Sequence, residues 1–110
     1  MLEAVPGGAI GIMPGVPIAD LLQAVFEYLQ SGQGQSAYKT FASVLPYIAF
    51  TLQNFELFLQ MEKQLLVRRN IFRSAICRSA TWNPDDDITK HISVLIDHVM
   101  QTLHDGGFEK

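Results

Sequence analysis

The chain has 110 residues, a single cysteine and a formal charge of -3. These figures exclude a large multidomain protein, an internal disulfide framework and a polyanion binder that works through its summed field. Charged residues make up 17% and hydrophobic ones 48%, against about 25% charged for an ordinary soluble domain. A small domain has much surface for its volume, so so little charge implies that part of the surface is covered by a second copy, another partner or a membrane.

The opening run, residues 1–16, is rich in Gly and Pro yet carries Ile10, Ile12, Met13 and Val16. It reads as an irregular apolar tail lying along the domain. Its glycines do not cradle a phosphate, because no Lys-Ser/Thr follows Gly15 and the spacing does not fit a dinucleotide loop. Met1 to Pro17 contains no Lys or Arg and is broken by Pro6 and Pro14, unlike a secretory signal. The expected location is cytoplasmic.

The helical domain is expected over 17–105. Pro17 suits a first helical position, and Ile18, Leu21, Leu22, Val25, Phe26 and Leu29 recur at three and four, predicting a helix to Gln30. Gly32 ends it, and SGQGQS links it onward. A second, long central helix is predicted from an N-cap at Ser36 to about Ser79, with a kink or short break at Ser43–Leu45 caused by Pro46. A second weak point falls at Arg68–Asn70. For the last helix, Asn83 is the expected cap and Pro84 the opening residue, with Asp85, Asp86 and Asp87 at the positive end of the dipole. The stripe Ile88, Ile92, Leu95, Ile96, Val99, Met100, Leu103 runs to a stop at Gly106 and Gly107, leaving 106–110 as a C-terminal tail. No strand alternation appears. The expected fold is all-α, a small oligomeric helical bundle.

The central helix carries the functional signal. No charge occurs between Lys39 and Glu56, and steps of about 100° separate two apolar stripes. One holds Phe41, Leu45, Ile48, Leu52, Phe55 and Leu59; the other holds Tyr47, Phe50, Leu57, Phe58, Met61 and Leu65. Five large side chains left in water would forfeit about 1.5–3 kcal/mol each. The second stripe is therefore expected to be an oligomer interface of Tyr47, Phe50, Leu57, Phe58 and Met61, pairing with a second copy or a protein partner. The competing arrangement is a central helix wrapped from within by the other helices and the N-terminal tail. A membrane span is disfavoured by Pro46, Gln53, Asn54 and Glu56, while peripheral membrane contact stays as a lesser alternative.

Lys63, Arg68, Arg69, Arg73 and Arg78 form a basic segment, 63–78, without acidic residues. Arg69 and Arg73, one helical turn apart, are candidates for phosphate contact. No nucleic-acid-binding signature accompanies them. RNA or another nucleic acid is thus the alternative ligand, set against a solvated face or pairing with Asp85–Asp87. Cys77 beside Arg73 and Arg78 reads as a small hydrophobe in the absence of a positioned base. His91 and His98 stand about 10.5 Å apart along a helix, too far to share one ion; Asp87 with His91 reads as a local contact, and His98 as a boundary residue with pH sensitivity at an interface. The expectation is a non-enzymatic association module with no metal or cofactor.

Overall fold

The structure, a computed structural model, describes residues 1–78 and 83–108. Four α-helices form the bundle: α1 Ala19–Gln30, α2 Gly34–Thr51, α3 Phe55–Arg68 and α4 Asp86–Asp105. Among the described residues there is no strand. The fold is all-α, as composition and periodicity predict.

A single 3-10 turn, Val16–Ile18, with Pro17 buried, precedes α1. Leu21, Leu22, Val25 and Phe26 are the buried face of α1. Gly32, at φ 78, supplies the left-handed residue that reverses the chain within three positions. α2 then packs against α1 and α4. Its helix begins two residues before the expected Ser36 cap.

The long central helix is two helices. α2 runs uninterrupted through Pro46, where one ladder bond is lost. Val44 and Tyr47, 0% and 1% exposed, anchor the helix to the core on either side of the proline. The break expected at Ser43–Leu45 comes instead at Leu52–Asn54. There Asn54 adopts extended backbone and its side chain accepts the Leu57 N–H at 2.7 Å, capping α3. That cap satisfies one of the donors a new helix leaves open. α3 stops at Arg68, the second expected weak point, where Asn70 takes φ 60. The backbone from Ile71 to Arg78 is non-helical. The expected helix end at Ser79 lies outside the described residues.

α4 begins two residues later than the sequence suggests. Asp85, not Asn83, is its cap, accepting the Ile88 N–H at 2.9 Å. It ends at Gly106, with Gly107 at φ 80.

The core gathers Leu21 and Val25 from α1, Val44 and Tyr47 from α2, Met61 and Leu65 from α3, and Ile92, Val99 and Leu103 from α4. Residues 1–15 lie against it: Val5 is buried, and Met1, Leu2 and Ile12 pack on its edge. The molecule is elongated, 42 × 28 × 23 Å, with a radius of gyration of 14.7 Å, against about 13 Å for a compact domain of this length.

Candidate functional site

The two stripes of the middle region have opposite fates from those the sequence suggests. Tyr47, Leu57 and Met61 are 1%, 3% and 0% exposed within a single chain. Phe50 is half-buried, edge-on to His91 with ring centroids 4.7 Å apart. Phe58 is half-buried and stacks on Phe55 at 6.3 Å. The stripe assigned to an oligomer interface is therefore mostly the core itself. The physical reason is the corner at Leu52–Asn54, which folds α3 over so that Tyr47 faces Glu62 across the α2–α3 junction.

The other stripe supplies the open apolar surface. Phe41 and Ile48 touch the core, but Leu45, Leu52, Phe55 and Leu59 are exposed, Leu52 and Phe55 each by 73%. Leu45 on α2 and Leu52 at its C-cap are two turns apart, and Phe55 and Leu59 one turn apart on α3. A depression of about 310 Å³ lined by Thr51, Leu52, Asn54, Phe55 and Phe58 joins the two helices at the corner.

The basic segment is not a helical stripe. Since α3 ends at Arg68, Arg69 and Arg73 do not share a helix face. Arg68 pairs with Asp97 at 2.6 Å. Arg69 is nearly sequestered, its side chain 7% exposed; it meets both oxygens of Asp20 at 2.9 and 2.5 Å and the carbonyl of Pro17. Partial burial pushes the Asp20 carboxyl up, but the hydrogen bond and charge of Arg69, helped by the Leu21 N–H, hold it below the ordinary range. Lys63 donates to the Ile76 carbonyl at 3.1 Å. The partners of Arg68 and Arg69 are thus Asp97 and Asp20, not the Asp85–Asp87 cluster. Arg73 and Arg78 are exposed on the non-helical run, beside Ile71, Phe72 and Ile76, which are 56%, 44% and 82% exposed.

Sequence reasoning missed one buried polar pair. The Tyr47 hydroxyl donates to Glu62 Oε1 at 3.2 Å in the interior. Burial pushes the Glu62 carboxyl above its ordinary range, and the Tyr47 hydrogen bond only partly opposes this. Burial, then the adjacent Glu62 charge, drive the Tyr47 hydroxyl upward as well. The visible signal was Glu62 lying on the same face of α3 as Leu65 and Leu66, a carboxylate among core positions.

A second concavity, about 350 Å³, lies between α2 and the C-terminal end of α4. Tyr28, Lys39, Thr40, Ser43, Thr102 and Phe108 are among its walls. Ser43 and Thr102 donate their hydroxyls to carbonyls of their own helices. His98 is exposed on α4, and Cys77 is half-buried on the run after α3. No group of three or more His, Cys, Asp or Glu suited to a metal ion occurs among the described residues. Nor is any described helix long and apolar enough to cross a membrane. Compared with family models, curated proteins and solved structures, the chain matches none.

Proposed function

We propose that the chain acts by association, docking the exposed apolar ridge of the α2–α3 corner against a second copy of itself. The observation that carries this reading is the ridge: Leu45, Leu52, Phe55 and Leu59 are exposed, and Leu52 and Phe55 also line a shallow apolar depression. Contiguous patches of this kind mark interaction surfaces. Burying the exposed parts of Leu52 and Phe55 alone would contribute about 2–4 kcal/mol per chain. The elongated outline adds to the surface the core leaves open.

The choice of a second copy rests on charge. No charged residue occurs from Thr40 to Phe55, so the Leu45–Phe55 part of two such ridges can meet antiparallel without opposing like charges, Glu56 being the one charge before Leu59. Two-fold pairing is also the commonest way a single surface patch satisfies itself. A nucleic-acid role would rest on Arg73 and Arg78, because Lys63, Arg68 and Arg69 are already engaged. The ridge supports association more directly.

The test is sedimentation equilibrium across a hundredfold concentration range, with the wild type and Leu52→Glu/Phe55→Glu compared. A concentration-dependent dimer that the double substitution abolishes is expected. A wild type that stays monomeric throughout would overturn the reading.

A further inference from the structure

Glu62 is the one carboxylate buried among the described residues, 9% exposed, and the N-terminal segment passes over it at Gly15. Gly15 passes so near that a Cβ there would sit 2.8 Å from the Glu62 carboxyl carbon and 2.9 Å from Oε1. The same segment is seated further along by Met1, Leu2 and Ile12 against the core, and its Val5 is buried. Its other large apolar side chains, Ile10 and Met13, are 95% and 99% exposed, so its hold on the bundle is partial.

We propose that residues 1–15 form a proton-controlled strap, seated while Glu62 is protonated and released when that carboxyl ionises. Among the described residues Glu62 accepts a hydrogen bond from Tyr47, whereas a buried carboxylate needs several partners to offset its lost hydration. The cations along α3 are engaged with other groups. Arg69, two turns along α3, is committed to Asp20 and the Pro17 carbonyl, Arg68 to Asp97 of α4, and Lys63 to the Ile76 carbonyl. The strap's only ionisable side chain is Glu3, exposed and paired with the Met1 amine. Lifting the strap returns water to the carboxylate. The neutral acid fits beneath Gly15 at no such cost.

The sign follows from linkage. Burial raises the Glu62 carboxyl above its ordinary range; for the share of that burial that the strap provides, seating is strongest below about pH 4.3, the free carboxyl value. Above that, the ratio of lifted to seated strap climbs about tenfold per pH unit until the raised value is passed.

Methyl NMR of Val5 in the strap and Val99 in the core tests this between pH 4.5 and 7. The Val5 signals should move from a buried to a solvated position as pH rises, with Val99 unchanged. Glu62→Gln, which keeps an acceptor for Tyr47 but cannot ionise, should hold Val5 seated throughout. Val5 signals constant with pH in the wild type, or moving equally in Glu62→Gln, would overturn the strap, as would Val99 moving in step with Val5.

Discussion

The reversal of the two stripes can be measured directly by truncating one residue from each. Met61 is 0% exposed and packed among core side chains of all four helices. Met61→Ala removes three heavy atoms from a site with no access to water, and changes of this type cost about 2–5 kcal/mol through lost transfer energy and the cavity left behind. Phe55 is 73% exposed, so Phe55→Ala removes atoms already hydrated and should change stability by no more than about 0.5 kcal/mol. Urea unfolding followed by far-UV circular dichroism, at a protein concentration below self-association, reads both. With a slope near 1.5 kcal/mol/M, Met61→Ala should lower the midpoint by roughly 1–3 M and Phe55→Ala by roughly 0.3 M or less. Equal losses, or a larger loss for Phe55→Ala, would refute the assignment of the Tyr47–Met61 stripe to the interior. The pair would then fit the original expectation of a docking face.

Two further perturbations probe the joints. Arg69→Met should destabilise the fold by about 1–2 kcal/mol, a figure reduced because Asp20 is 42% exposed and screened. Since the ion pair holds the Asp20 carboxyl low, its stabilisation is present at neutral pH and lost as pH falls through that lowered value; thermal melts should show Asp20→Asn flattening the wild-type loss below about pH 4. Asn54→Ala deletes the cap of α3 and should lower stability by about 1 kcal/mol in the same urea assay.

The outer helices were legible because their signals are local and redundant. Pro17, Gly32, the aspartates at 85–87 and Gly106 punctuate chain whose apolar period already runs at three and four, and only the caps shifted by a residue or two. The middle was ambiguous for a physical reason. Periodicity separated two stripes, yet it is blind to which of them a neighbouring helix covers, and that depends on where the chain turns. Pro46 drew attention as a breaker, but Val44 and Tyr47 lock the helix to the core around it. The Gln53-Asn54 pair, with Asn a strong capping residue ahead of an apolar run, was the turn signal that mattered. Arg69 was legible as a charge and not as a brace, because its partners lie 49 and 52 residues away in sequence.

The non-helical run from Ile71 to Arg78 is also a seam. Arg73 and Arg78 stand exposed on non-helical backbone that makes few hydrogen bonds among the described residues, which is the setting trypsin favours for a first cut. A nick there would divide the chain into one piece carrying α1 to α3 and another carrying α4. Ile92, Leu95, Ile96, Val99 and Leu103 of α4 are nevertheless part of the common interior. That shared interior predicts that the two pieces run together on a native gel after cleavage and separate in denaturant, a noncovalent heterodimer of the bundle's own fragments.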